Sequence, residues 1–216
     1  MFNIDKYKKI TEEIEFLGKN TQIIAVSKNH PKELVEEALK HGVRIFGENR
    51  VQEAKIKFEG LRTKYPNLEL HLTGPLQTNK TKEAIRLFDV FHTLDREKLA
   101  KEFVKLGNLK NKKFFIQVNT GREENKSGIY LERLDEFINY CKNDLPLNIV
   151  GLMCIPPIND PPREHFSVLE KKAKKHNLPS LSMGMSDDYI EAIKHNATYI
   201  RIGTLLFGKR QQWKLN

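Results

Sequence analysis

Apolar residues in this chain recur in short runs of about four or five, separated by longer stretches that mix apolar and polar positions. Most of the runs are too short for helices of globular proteins, so each predicts a buried β-strand. Eight strands are predicted in this way, at residues 23–26, 43–46, 68–72, 90–93, 114–118, 149–153, 180–183 and 199–202.

The stretches between these runs carry apolar residues at spacings of three and four, which place them on one stripe of a helix. One such stripe comprises Val51, Ala54, Phe58 and Leu61. A second comprises Leu131, Leu134, Ile138 and Cys141. The same spacing predicts an additional helix before the first strand, at Tyr7, Ile10, Ile14 and Leu17.

Strands and helices therefore alternate along the whole chain, which is typical of α/β proteins with parallel strands. Eight strands in 216 residues favour a single (β/α)8 barrel of the TIM type with an extra N-terminal helix. An open, doubly wound sheet is the competing architecture. No linker or low-complexity segment divides the chain, so we expect one domain over residues 1–216.

Composition excludes several classes of protein. No apolar stretch reaches the ~18 residues of a membrane span, and the first 20 residues lack the features of a secretory signal, so we expect a cytoplasmic protein. Cys141 and Cys154 are the only cysteines and form no paired motif, so both are expected to be buried or neutral thiols. The seven histidines show no metal-ligand spacing, and we expect no metal.

The formal charge of +9 would attract anions, including nucleic acids and phosphate esters. The basic residues are interleaved with acidic residues along the predicted helices, which is typical of a solvated helix face. The densest basic run, at residues 171–175, contains no aromatic side chain that could stack on a base. Specific nucleic-acid binding is therefore not expected, although it stays open as a second alternative function.

In a parallel barrel, functional residues come from the carboxyl ends of the strands and the loops that follow them. Lys28 follows the first predicted strand and Ser27, so its Cα lies at the rim and its amine can turn toward the barrel axis. Partial burial that lowers a lysine pKa from ~10.4 to ~7–8 costs about 4 kcal/mol and yields the neutral amine that forms imines. The alternative interpretation is an ordinary surface lysine.

The loops after strands seven and eight form the usual phosphate site of this fold. They contain Gly184, Ser186, Gly203 and Thr204, which supply flexible backbone and two hydroxyl groups. Asp187 and Asp188 are expected in the first turn of the next helix, where they would repel a phosphate unless they point outward. Alternatively, Ser186 is a helix cap and the glycines only form turns.

Arg201 lies two residues before Gly203, so both belong to the same side of the last strand. If that side faces the axis, a permanent cation lies in the barrel mouth, where a ring nitrogen or a carboxylate would be its partner. An ion pair with an acidic residue on a neighbouring strand is the alternative interpretation.

Several motifs spread over residues 22–208 complete the sequence evidence. They are Ala25-Val26-Ser27-Lys28, Phe46-Gly47-Glu48-Asn49, His71 with Gly74-Pro75-Leu76-Gln77, Lys126-Ser127-Gly128, Gly151-Leu152-Met153, Ser182-Met183-Gly184-Met185-Ser186 and Arg201-Ile202-Gly203-Thr204. With these motifs the chain resembles the pyridoxal phosphate homeostasis protein family, whose fold resembles the N-terminal barrel of alanine racemase.

The resemblance implies a fold-type III barrel that binds pyridoxal 5'-phosphate (PLP). It also implies a role for each matching residue: Lys28 forms the Schiff base, Ser186, Gly203 and Thr204 hold the phosphate, Arg201 faces the pyridine nitrogen, and Asn49 and Met183 line the pocket.

We expect a carrier of PLP rather than an enzyme, with no catalytic residue. A guanidinium donates hydrogen bonds only and cannot easily protonate the pyridine nitrogen, so the ring would be a weak electron sink. The chain ends at Asn216, soon after the last predicted strand, without the second domain that racemases use. A racemase or lyase of low activity is the alternative. The expected partners are PLP and PLP-dependent apo-enzymes, and the expected state is a monomer.

Overall fold

A closed ring of eight parallel strands forms the centre of the computed structural model, which describes residues 1–209. The ring strands are β1 (Gln22–Val26), β2 (Ile45–Glu48), β3 (Glu69–Leu72), β4 (Val90–Leu94), β5 (Lys113–Asn119), β7 (Ile149–Cys154), β8 (Ser180–Ser182) and β9 (Tyr199–Ile202). Pairing of β4 with β5 and of β1 with β9 closes the ring, so the predicted barrel is confirmed and the open sheet is wrong.

Helices surround this ring and connect its strands. They are α1 (Ile4–Phe16), α2 (Lys32–Lys40), α3 (Val51–Phe58), α4 (Leu61–Lys64), α5 (Thr81–Leu87), α6 (Glu97–Leu106), α7 (Leu131–Asn139), α8 (Pro162–Lys175), α9 (Tyr189–Lys194) and α10 (Thr204–Phe207). A 3₁₀ turn at Thr78–Lys80 and a π-helical turn at Tyr140–Asp144 complete the elements. None of the helices within residues 1–209 is both long and apolar enough to span a bilayer.

The second strand begins two residues later than predicted, and two elements also differ from the prediction. The stripe from Val51 to Leu61 belongs to two helices, because Gly60 between them adopts a left-handed conformation with φ of 78°. A ninth strand, β6 (Ile129–Tyr130), pairs with β5 outside the ring. Its two residues are too few to produce a recognisable apolar run.

Two apolar clusters pack this fold. The larger one fills the layer between the ring and the helices, where the apolar stripes of the helices are buried. The smaller one occupies the inside of the ring and comprises Ile24, Val26, Val90, Phe115, Met153 and Tyr199. Polar side chains are also buried inside the ring, which is uncommon because branched apolar residues dominate most barrel cores. These polar side chains extend toward the carboxyl ends of the strands.

Candidate functional site

Lys28 lies in the loop after β1, where it is half-buried and the preceding Ser27 is fully buried. Its backbone is held on both sides. The Lys57 ammonium donates a 2.5 Å hydrogen bond to the Ser27 carbonyl, and the Asn29 amide donates one of 2.5 Å to the Glu53 carboxylate. Asn29 has a φ of 61°, a left-handed conformation that asparagine tolerates. The loop therefore presents Lys28 from a fixed backbone.

A buried ionic cluster supports this loop from below. The Lys57 ammonium lies 2.8 Å from the Glu48 carboxylate and 2.7 Å from that of Glu53, so two acids share one cation. Burial raises the pKa of Glu48 to about 7, although Lys57 opposes the shift. One oxygen of Glu48, Oε2, is buried without a hydrogen-bond partner. The cluster is therefore sensitive to protonation near neutral pH.

The pairing of β1 with β9 brings Lys28 next to the last predicted site loop. Ile24 lies opposite Arg201, and a Cβ atom on Gly203 would lie 3.3 Å from the Val26 carbonyl oxygen. The His30 ring stacks on Phe207 of α10 with 5.4 Å between centroids. Lys28 and the N-terminus of α10, at Thr204, therefore belong to one side of the barrel mouth.

The loop after β8 is held in a tight fold beside β9. Gly184 adopts a φ of 93°, and its carbonyl accepts a 2.9 Å hydrogen bond from the Arg201 amide. The Asp188 carboxylate accepts a 2.6 Å hydrogen bond from the Met185 amide and occupies the N-cap position of α9. Ser186 is half-buried within this turn, and it does not cap the helix because Asp188 holds the N-cap position.

The two acidic residues of this loop also differ from expectation. Asp187 and Asp188 precede α9 and do not lie in its first turn. Asp187 is exposed, whereas burial raises the pKa of Asp188. Because the Asp188 carboxylate is turned back to the Met185 amide, it shapes the turn that carries Ser186.

Arg201 is a buried cation at the centre of the strand ends, with 6% of its surface exposed. Its guanidinium donates hydrogen bonds of 2.8 Å to the Ser182 hydroxyl and 2.9 Å to the Cys154 carbonyl. Within residues 1–209, no carboxylate oxygen lies within 4.0 Å of it, so the ion pair with an adjacent acid is not found. Burial lowers the pKa of Arg201, and the negative charge of Asp188 opposes that shift.

Asn49 lies across the mouth, where it borders a cavity of about 410 Å³. The Thr73 hydroxyl donates a 3.0 Å hydrogen bond to its side-chain oxygen. Thr73, Thr93, Gln117, Asn119 and Met185 also line this cavity. Met183, which the family resemblance places with Asn49, is fully buried in the larger apolar cluster and is not among the residues that line this cavity. Met185 was missed because a methionine in a loop carries no distinctive signal.

The two cysteines and the possible metal ligands complete the description of the predicted features. Cys141 and Cys154 are buried thiols, and burial raises the pKa of each to about 12, so the expectation of neutral thiols is confirmed. In the part of the chain that the structure describes, no three histidine, cysteine or acidic side chains are grouped as metal ligands.

Comparisons with known proteins show the family of this chain. The family model described as alanine racemase, N-terminal domain, matches residues 3–211. The pyridoxal phosphate homeostasis protein of Aquifex aeolicus (strain VF5) is 40% identical over 206 residues, which cover 90% of each chain.

Solved structures show the same likeness. PipY of Synechococcus elongatus PCC7942 without PLP has a TM-score of 0.82 at 33% identity, covering 94% of this chain and 99% of that one. The same protein with PLP bound has a TM-score of 0.79 at 34% identity, covering 92% and 100%. Alanine racemase of Clostridium difficile 630, at 14% identity and a TM-score of 0.73, is similar in fold; the match covers 96% of this chain and 57% of the racemase. The chain belongs to the pyridoxal phosphate homeostasis protein family.

Proposed function

We propose that this protein binds PLP, holds it as a Schiff base on Lys28 and takes part in PLP homeostasis in the cytoplasm without catalytic turnover. The names of its relatives and the PLP-bound structure of PipY support the choice of cofactor. In this proposal a monomer exchanges PLP with PLP-dependent apo-enzymes. The chemistry of the residues at the barrel mouth supports the proposed contacts to the cofactor.

The observation that carries the proposal is the buried guanidinium of Arg201. A guanidinium has five N–H donors, and its two hydrogen-bond acceptors here, Ser182 and the Cys154 carbonyl, are neutral. A buried cation of this kind is stabilised by a further acceptor at the open side of the site. The pyridine nitrogen of PLP is such an acceptor, and it carries no hydrogen when it faces a donor.

The phosphate group fits the neighbouring loops. Ser186 and Thr204 offer hydroxyl groups, and the first amides of α10 have no acceptor within the helix. Gly203 keeps this approach open beside Val26, since a Cβ atom there would already be in tight contact with the Val26 carbonyl. Asn49 and Met185 are proposed to border the opposite side of the ligand, and Met183 to support the loop from the core.

Lys28 supplies the covalent link. Once it has lost its proton, the amine would add to the aldehyde carbon of PLP; a C=N bond would replace the C=O bond, and the oxygen would leave as water with the two amine hydrogens. The fixed backbone at Ser27 and Asn29 restricts the positions that the amine can reach, which reduces the entropy lost when the bond forms.

The same residues argue for a carrier. Arginine remains charged and donates only, so it leaves the pyridine nitrogen unprotonated and the ring a poor sink for a carbanion. Both cysteines are buried with raised pKa values, so neither supplies a thiolate base. The arrangement binds and orients the cofactor but supplies little for turnover.

The test is reduction of the PLP-loaded protein with borohydride, followed by peptide mapping. We expect an absorbance band near ~420 nm before reduction and a stable adduct on Lys28 afterwards. Lys28→Ala is expected to lose both, while Lys9→Ala, at an exposed lysine of α1, keeps both. An unmodified Lys28 would refute the assignment, and turnover of an amino acid that disappears in Lys28→Ala would favour an enzyme.

A further inference from the structure

A continuous line of hydrogen bonds crosses the barrel interior from the first residue of β3 to Arg201. The Glu69 carboxylate lies 2.7 Å from Nε2 of His71, and Nδ1 of His71 lies 2.8 Å from Nε2 of His92. Nδ1 of His92 lies 2.8 Å from the Ser182 hydroxyl, which accepts the 2.8 Å hydrogen bond from Arg201. The line thus joins the amino-terminal rim of the ring to the mouth.

The two ends fix the direction of every bond in this line. Arginine can only donate, so the Ser182 oxygen accepts from it and turns its own hydrogen toward Nδ1 of His92. A neutral His92 then carries its hydrogen on Nε2 and donates it to Nδ1 of His71. His71 in turn donates from Nε2 to the carboxylate of Glu69. All donors therefore point from the guanidinium toward the carboxylate.

This direction of the hydrogen bonds requires neutral rings at His71 and His92 and an ionised carboxylate at Glu69. The surroundings of these residues favour those charge states. Burial lowers the pKa of His71 and lowers that of His92 well below its ordinary value, so both rings are neutral near pH 7. The hydrogen bond from His71 lowers the pKa of Glu69 to about 2, so this end of the line is a carboxylate. Lys113, 3.2 Å away at the rim, adds to that effect.

Aromatic packing holds both rings in place. The His92 ring stacks on Phe115 with 4.6 Å between centroids and 9° between planes. Tyr199 meets both imidazoles edge-on, at 5.2 Å from His71 and 6.1 Å from His92. Both histidines are fully buried, so a ring flip would break two hydrogen bonds without replacement by water.

We propose that His71 and His92 are positioning residues that hold Arg201 in place for the cofactor, by linking its guanidinium through Ser182 to the carboxylate of Glu69. This inference rests on the proposed function, because it assigns one of the remaining N–H donors of Arg201 to the pyridine nitrogen.

Charge compensation is the physical reason. Arg201 has neutral acceptors in direct contact, and Asp188 acts on it through its charge alone, whereas the carboxylate of Glu69 is joined to it by the line of hydrogen bonds. In a medium of low dielectric constant, each hydrogen bond polarises the next, so the carboxylate strengthens the bond at Ser182. The guanidinium is thereby fixed in one orientation, and its orientation determines how well it meets the ring nitrogen.

Histidine NMR on the cofactor-free protein tests the line itself. We expect the ¹⁵N shifts of His71 and His92 to show neutral rings with hydrogen on Nε2 and a bare Nδ1. Glu69→Gln should move both sets of shifts, whereas Glu12→Gln, at an exposed position of α1, should leave them unchanged. A hydrogen on Nδ1 of His92, or a doubly protonated ring, would overturn the inference.

The PLP-loaded protein tests the link to the cofactor. Glu69→Gln, which lies at the rim away from the mouth, should shift the absorbance maximum of bound PLP and raise its dissociation constant about fivefold or more. Ser182→Ala should do the same with a loss of about tenfold. Ser167→Ala, which removes a hydroxyl from the outer helix α8, serves as the matched control and should change neither quantity.

The outcomes separate the two proposals. If wild type carries PLP on Lys28 but Glu69→Gln keeps the wild-type spectrum and affinity, the inference fails and the proposed function stands. If wild type forms no adduct on Lys28, both fail. Should Ser182→Ala not fold, Glu69→Gln decides alone, because a glutamine there still accepts the hydrogen bond from His71 while removing the charge.

Discussion

Lys28 shows how far a single residue can be interpreted from the sequence. Its place after an apolar run and Ser27 predicted the rim of a barrel, and the structure puts it there. The buried ionic cluster that holds its loop was not predictable. Lys57 stands between an apolar residue and Phe58 on a helix with interleaved charges, where a solvated side chain is expected, yet it is fully buried between Glu48 and Glu53. Only the folded chain brings those acids together.

Glu48 leads to a prediction at this scale. Because the folded state raises its pKa from 4.5 to about 7, that state binds the proton more tightly than the unfolded chain does. Unfolding free energy therefore falls as pH rises through this window, by about 1–3 kcal/mol for this group. We expect Glu48→Gln to remove this part of the pH dependence.

Urea unfolding at pH 5 and pH 8 measures the effect. The exposed Glu12→Gln serves as the control and should follow wild type at both pH values. An equal pH dependence in wild type and Glu48→Gln would contradict the buried, partly protonated carboxyl.

The elements of this fold were largely predictable because each strand is a short apolar run and each helix a stripe. The predicted boundaries were wrong where a charged residue or a glycine interrupts the pattern of apolar residues. The second strand was predicted two residues early, since it ends in Glu48, a charged residue that the apolar run excluded. Helix α4 is separated from α3 by Gly60, whose left-handed conformation leaves the spacing of apolar residues intact.

Gly151 in β7 allows a prediction for one pair of strands. A Cβ atom at this position would lie 2.1 Å from the Ser180 carbonyl oxygen of β8 and 2.6 Å from the Phe115 ring. Gly151→Ala must therefore force β7 and β8 apart or displace the ring. We expect a loss of about 1–3 kcal/mol in unfolding free energy and a Tm lower by several degrees, measured by thermal unfolding.

Gly42→Ala is a useful comparison because its Cβ would meet open space while its φ of 91° is unfavourable for alanine. This variant isolates backbone conformation, at about 1–2 kcal/mol, from the steric contact at Gly151. A Gly151→Ala variant as stable as wild type would mean that the two strands tolerate separation.

At the scale of the whole molecule, alternation of strands and helices indicated parallel strands but left two architectures open. A closed ring and an open sheet share the same local pattern, and they differ only in which distant strands pair. The pairing of β1 with β9 decides between them, and no stretch of the sequence records it locally. For the same reason, the sequence did not predict that the inside of the ring holds both the smaller apolar cluster and the line of hydrogen bonds from Glu69 to Arg201.

Binding of PLP should stabilise the whole chain if the proposed function is correct. At a concentration about 100 times the dissociation constant, the gain is about 2.7 kcal/mol. For a chain of this length that raises Tm by about 5–11 °C in a thermal unfolding experiment. Pyridoxal, which lacks the phosphate, should give a smaller shift, and so should Lys28→Ala with PLP.

The net charge of +9 suggests the control for this experiment. Inorganic phosphate at the same concentration measures general anion binding, which salt should abolish. If phosphate alone matched the shift caused by PLP, the stabilisation would come from the charge of the protein and not from a cofactor site.

The pairing of β1 with β9 also determines when the barrel can close during protein synthesis. Nearly the whole described chain separates these strands, so β1 keeps an open edge on the ribosome until residues 199–202 have emerged. Until then Lys28 lacks the neighbouring loop with Gly203 and Thr204. Nascent and truncated chains should therefore take up no ligand at this mouth, and a cell would load only finished molecules.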